Sequence, residues 1–202
     1  MYRMDAPLAR RMDPERRREL LLDVAEDYLR AHGTNVSLDD IARAAGVSPP
    51  LMRHYFRNRD GLVAELAQRA AAHLEGIFLI PGLGDLGDRL ASYLEWVADQ
   101  PLGHWLWIAA VNNNAGVIDF FPTRRRLMEA AFATSWEDQD ASLRLRANAW
   151  IAAVESTVST WLNEGARDRD LVVDFLLDLA IRLDIPTAKQ AAMRRRNRAR
   201  KS

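Results

Sequence analysis

Between residues 13 and 60 the chain marks three helix starts and two helix stops with side chains suited to each job. Asp13 is an N-cap followed by Pro14 at the first helical position, where no amide partner is needed. Leu21, Val24, Ala25, Tyr28 and Leu29 recur at spacings of three and four, and Gly33 stops the helix 14–32. Ser37 opens a second helix, 38–45, with Asp40 three positions on as a variant capping box, and Gly46 closes it. Ser48 caps a third, 49–56, that begins with Pro49 and Pro50. Two prolines cost little there because the first four amides of a helix lack intrahelical partners, although Pro49, preceding a proline, is pushed from its favoured backbone region.

The same grammar continues. A helix from about Asp60 to Leu79 is followed by Pro81, Gly82, Gly84 and Gly87, the clearest break in the chain. Further helices are expected over 85–99, 102–113, 122–138, 141–164 and 169–184, punctuated by Pro101, Pro122, Gly165 and Pro186. No alternating strand pattern and no fixed-length repeat occurs, so the fold class is all-α, with about nine helices. The expected organisation is a flexible basic arm (1–12), a helix-turn-helix domain (13–59), a ligand-binding and dimerisation domain (60–185) and a basic, disordered tail (186–202).

In the short helix 49–56 the arrangement of side chains matters most. At about 100° per residue, Leu51, Tyr55, Met52 and Phe56 fall on one face, while Arg53, Arg57, Pro50 and His54 fall on the other. In the helix before it, Ala42 and Ala45 are small enough to allow a close approach, and Val47 is suited to filling the angle between the two. A helix with guanidiniums opposite an anchoring face fits the major groove, where Arg bonds guanine bidentately.

Here the sequence resembles a known family. The run Leu20–Leu66, above all VSLDDIARAAGVSPPLMRHYFRNRDGLVAEL, is similar to the DNA-binding domain of TetR-type transcriptional regulators. The shared marks are the first helix ending in Gly33, Ser37 opening the second, IARAAGVS, HYF in the third, and an acid-Gly-Leu opening the fourth. The resemblance implies a homodimer on a palindromic double-stranded DNA operator. Carried onto matching positions, it places Ser48, Pro49, Pro50, Arg53 and His54 at bases or adjacent phosphates, with Arg57 on the same face. Ser37, Tyr55 and Arg59 would grip the DNA backbone, Arg59 standing where the family commonly has lysine. Two departures matter: Pro49-Pro50 replaces a pair that is often Lys-Gly, and Arg53 stands where Tyr is common. Pro49 and Pro50 offer no backbone donors to DNA, so the operator is not inferable from relatives.

Charge is distributed unevenly behind a formal net of zero: +2 over residues 1–59, −9 over 60–188 and +7 over 189–202. Basic ends on an acidic body suit a polyanion partner. The arm arginines Arg3, Arg10 and Arg11 could enter a minor groove or simply be solvated.

All six tryptophans lie between residues 85 and 164. Core packing accounts for any one of them; as a group they suggest an effector pocket for a small, largely apolar or aromatic molecule. Its expected lining is Trp96, Trp105, Trp107, Asn112, Asn113, Phe120, Phe121, Trp136 and Trp150. Glu155, in an otherwise apolar stretch, reads as a buried carboxylate for a cationic ligand or as a solvated residue. A partner-facing seam is expected from Leu143, Ala147, Val154 and Trp161 together with Val172, Phe175 and Leu179, two helices from each subunit meeting about a two-fold axis.

Other classes find little support. There is no cysteine, hence no disulfide or thiolate site, and His32, His54, His73 and His104 have no metal spacing. No GxSxG or P-loop occurs, so no catalytic residue, cofactor or metal is expected. No run reaches the roughly 18 apolar residues of a membrane span, and the N-terminus lacks an apolar signal core, so a cytoplasmic, nucleoid-associated protein is expected. The remaining alternative is a helical interaction module whose basic tail meets RNA or anionic surfaces without operator specificity.

Overall fold

A computed structural model describes residues 12–79, 85–112, 121–132 and 140–185, together with Thr187 and Met193. Every regular element among them is a helix: α1 (Pro14–His32), α2 (Leu38–Ala44), α3 (Pro49–Phe56), α4 (Arg59–Phe78), α5 (Leu86–Asp99), α6 (Pro101–Asn112), α7 (Phe121–Phe132), α8 (Ala141–Asn163) and α9 (Arg169–Arg182). The arm 1–11 and nearly all of the tail lie outside the described residues. The helix expected from residue 85 starts there. Asp85 is an N-cap that accepts from the Gly87 amide at 2.9 Å and forms a capping box with Asp88.

The described residues form two compact units, one of residues 12–70 with 105–112, the other of 71–79 and 85–104 with 121–132 and 140–185. In the first, α2 packs on α1 and α3. Leu21, Leu22, Ala25 and Leu29 of α1 bury the stripe their spacing calls for, together with Leu38, Ile41 and Ala42 from α2 and Met52 and Phe56 from α3. The Arg18 guanidinium forks onto Glu65, Nε to Oε2 at 2.8 Å and Nη2 to Oε1 at 2.5 Å, so α1 and α4 are tied by a bidentate pair. Arg69 adds a second tie from α4, to Asp23 at 2.7 Å and to Glu19.

In the second unit α9 packs on α5 and α8. Leu90, Leu94 and Val97 of α5 and Val173, Leu176, Leu177 and Ala180 of α9 are buried, as are Ala147, Trp150, Val154 and Val158 of α8. The Trp150 indole donates to the Leu176 carbonyl at 2.9 Å, so the ring fixes α8 against α9 by a hydrogen bond as well as by area.

One polar chain crosses this apolar interior. Ser159 Oγ donates to the Glu155 carbonyl at 2.8 Å, which leaves its oxygen to accept from His104 Nε2–H at 3.4 Å. Nδ1 of His104 is then an acceptor, and the Tyr93 hydroxyl donates to it at 2.8 Å. The chain runs in one direction and requires a neutral imidazole. His104 is fully buried, and burial lowers its pKa to about 4. Burial, with the Glu155 charge second, likewise pushes the Tyr93 hydroxyl up, so it stays protonated.

Because the folded pKa of His104 lies below the unfolded value, the unfolded state binds more protons between the two, and stability falls as pH drops through that window. Urea denaturation should show about 2 kcal/mol less stability at pH 5 than at pH 7 from this residue. His104→Asn should remove that portion of the slope; an unchanged slope would refute the buried neutral assignment.

Candidate nucleic-acid interface

The α2–α3 pair is built from its turn outward. Ser37 accepts from the Asp40 amide at 3.1 Å while Asp40 Oδ2 accepts from the Ser37 amide at 3.2 Å and hydroxyl at 2.6 Å, a complete capping box. That hydroxyl bond, with Arg43 after it, holds the Asp40 carboxyl below its ordinary range. Gly46 adopts φ +68°, which reverses the chain, and the Val47 amide returns to the Ala42 carbonyl at 3.0 Å. Ala42 and Ala45 are buried at the close approach of the two helices.

Ser48 is the N-cap of α3, with Pro49 at the first helical position, and its hydroxyl accepts from Leu51 at 3.4 Å. Met52 and Phe56 are buried, Leu51 and Tyr55 half-buried, and Pro50, Arg53, His54 and Arg57 exposed. The Arg18 guanidinium carbon sits 5.8 Å from the centre of the Phe56 ring, so the residue that ties α1 to α4 also covers the anchor of α3. His54 meets Tyr55 edge-on at 5.4 Å.

Three features were not readable from the sequence. Arg53 reaches back to α2, where its Nη2 pairs with Asp39 Oδ1 at 2.6 Å. Both side chains are about half exposed, so the pair is worth no more than about 1 kcal/mol, a hold that a base edge or phosphate can replace. Arg59, expected at a phosphate, turns inward: Nε donates to the Val36 carbonyl at 3.1 Å and Nη2 to that of Thr34. It staples the loop before α2. Ser37, also expected at the DNA backbone, gives its hydroxyl proton to Asp40.

The third feature is the exit of α3. Arg57 has φ +60° and ψ −59°, with the Asn58 amide donating to the Phe56 carbonyl at 2.6 Å, a γ-turn of the rare, strained kind. Asn58 then caps α4 by accepting from Gly61 at 2.8 Å. So tight is this corner that a Cβ on Gly61 would lie 2.2 Å from the Phe56 carbonyl oxygen.

The remaining expected sites are distributed as follows. Trp96, Trp107 and Trp150 are buried and Trp105 is exposed. Trp96 stacks on His73 at 5.0 Å. Asn113, Phe120 and Trp136, and the side chains of Asn112 and Phe121, lie outside the described residues. A surface groove of about 540 Å³ opens beside α5 and the α8–α9 connection, lined by Leu94, Glu95, Trp161, Arg169 and Leu171 among others, and none of the expected pocket residues line it. Of the expected partner-facing residues, Ala147, Val154, Trp161 and Val172 are buried within the single chain. Leu143 and Leu179 are half-buried and Phe175 is exposed.

Residues 21–66, which span this helix-turn-helix, match the sequence model of the bacterial regulatory proteins of the tetR family. These residues carry the helix-turn-helix DNA-binding domain of the tetR type. It is similar in structure to a tetR-family transcriptional regulator of Streptomyces coelicolor, with 27% identity and a TM-score of 0.65 over 91% of this chain and 89% of the other. A TetR-like transcriptional regulator of Rhodococcus sp. RHA1 is similar at 25% identity and a TM-score of 0.67, over 85% of this chain and 97% of that one. The fatty acid degradation regulator FadR of Bacillus halodurans, 14% identical with a TM-score of 0.54 over 82% of this chain and 94% of that one, shares the fold. A comparison with curated proteins finds no match. The chain is a DNA-binding transcriptional regulator. Among its described residues no helix is long and apolar enough to cross a membrane.

The family's acid-Gly-Leu mark thus has a steric cause in this chain. Gly61→Ala should cost at least about 2 kcal/mol by forcing the α3–α4 corner apart. Gly76→Ala, with nothing within 4 Å of the added methyl, should instead stabilise by about 0.5–1 kcal/mol. Thermal melts of the two variants check the contrast, and equal effects would contradict it.

Proposed function

We propose that the chain is a repressor that binds a palindromic operator as a homodimer in the cytoplasm and is released by a small effector. The observation that carries this reading is the two-faced α3, with Met52 and Phe56 buried and Pro50, Arg53, His54 and Arg57 exposed on the opposite side. Arg53 reads a base edge, guanine being the partner its fork suits, after exchanging Asp39 for it. His54, Ser48 and the proline rings meet neighbouring bases or phosphates, while Arg57 and Tyr55 face the backbone. Ser37 and Arg59 support the interface by fixing the loop and cap of α2.

The homodimer uses the outer faces of α8 and α9. Leu145, Leu171 and Phe175 are 72%, 68% and 53% exposed, apolar groups that a partner would cover. Effector binding in the helical body shifts the population away from the form that matches the operator.

Arg53→Ala should lower affinity for the selected operator about 10- to 100-fold while leaving binding to random DNA and dimerisation nearly unchanged. Gel shifts at two salt concentrations measure this, and a surviving operator preference would refute the assignment. Phe175→Glu should convert the dimer to a monomer in light scattering at micromolar concentration, and a monomeric parent protein would reject the proposed face.

A further inference from the structure

Within the second unit Arg124 is a largely shielded cation whose polar atoms are incompletely partnered among the described residues. Arg124, in the first turn of α7, is 23% exposed, and among the described residues its guanidinium makes no hydrogen bond. Its Nε is fully shielded from solvent and unpartnered. The nearest acid is Glu155 at 3.9 Å, beyond hydrogen-bond range, and Glu155 is itself only 17% exposed. Other arginines of the unit have acceptors: Arg89, whose Nε is likewise shielded and unpartnered, donates through Nη1 to the Phe78 carbonyl at 2.7 Å, Arg146 to the Leu183 carbonyl at 3.0 Å, and Arg126 to Glu75. A shielded guanidinium with idle donors is costly, and folded proteins seldom keep one without something to fill it.

We propose that Arg124 receives the carboxylate of an effector that is a monocarboxylic acid with an apolar body. This rests on the regulator reading above and names the effector class. The choice of an anion over a cation follows from which member of the Arg124–Glu155 pair can give up its charge. A guanidinium remains protonated throughout the accessible pH range, so a cation approaching Glu155 would face a fixed like charge. Glu155 is the member that yields. Burial raises its pKa against the pull of Arg124, so it holds its charge less firmly than the guanidinium does, and an incoming carboxylate takes the guanidinium fork in its place.

The apolar body follows from the surroundings. The Glu155 carbonyl ends the uncharged chain through Ser159 and His104 to Tyr93. The Tyr93 ring lies 6.2 Å from Phe78 and 6.1 Å from Trp96, which in turn stacks on His73. Beyond its one charged end the surroundings are therefore uncharged side chains and aromatic rings.

The test uses octanoate and phenylacetate, each beside its uncharged amide, with octylammonium as the cation. Calorimetry and thermal shift are read on the full chain without DNA. At least one acid should bind about tenfold or more tightly than its amide. Arg124→Gln should lose that preference, and Glu155→Gln, which keeps the guanidinium and removes its competitor, should bind the acid at least as tightly as the parent. Binding of neither acid, equal binding of acid and amide, a preference for octylammonium, or retained preference in Arg124→Gln would each overturn the proposal. Operator binding in the absence of these compounds is measured separately, so failure of the regulator reading is distinguishable from failure of the carboxylate site.

Discussion

An eight-residue helix has almost no stability of its own in water, because nucleation costs more than so few hydrogen bonds return. Everything the DNA-facing end of this molecule does depends on how α3 is held from behind. Met52 and Phe56 are its buried anchors, Ala42 and Ala45 let α2 lie close, and Arg18 covers the Phe56 ring while forked onto Glu65. The front is held by Ser48 and two prolines, the rear by a strained γ-turn against Gly61. With both ends and one face fixed, the opposite face exposes Pro50, Arg53 and His54, the residues proposed to meet DNA.

Helix ends were legible in the sequence because their chemistry is local. Asp13, Ser37, Ser48 and Gly33 act on amides and carbonyls within four residues, and the structure uses each as a cap or stop. The apolar face of α3 was legible for the same reason, since it follows from angular position alone. What could not be read lies between residues distant in the chain. The Asp39–Arg53 pair spans 14 positions and the Arg59–Val36 bond 23, and no periodicity encodes either. Arg59 is a further example, its bonds to the Val36 and Thr34 carbonyls having no local signal.

In the helical body the pattern was less specific. Of the tryptophans read together as pocket walls, Trp150 is a core residue bonded to a backbone carbonyl and Trp96 stacks on His73. Ala147, Val154 and Trp161 of the α8 seam are buried within the single chain. A hydrophobic spacing states that a face is buried and says nothing of what buries it. The polar residues proved more informative. His104, neutral at the centre of a one-way hydrogen-bond chain, and Arg124, shielded with idle donors, are departures from apolar packing that secondary structure does not require.

These observations converge on one claim, that the exposed face of α3 selects a particular DNA sequence on a two-fold symmetric dimer. Selection of bound DNA from a random pool, at physiological salt and with no added effector, tests it most directly. An enriched inverted repeat is the predicted result. A bound pool indistinguishable from the input, or one enriched only in composition, would contradict the account.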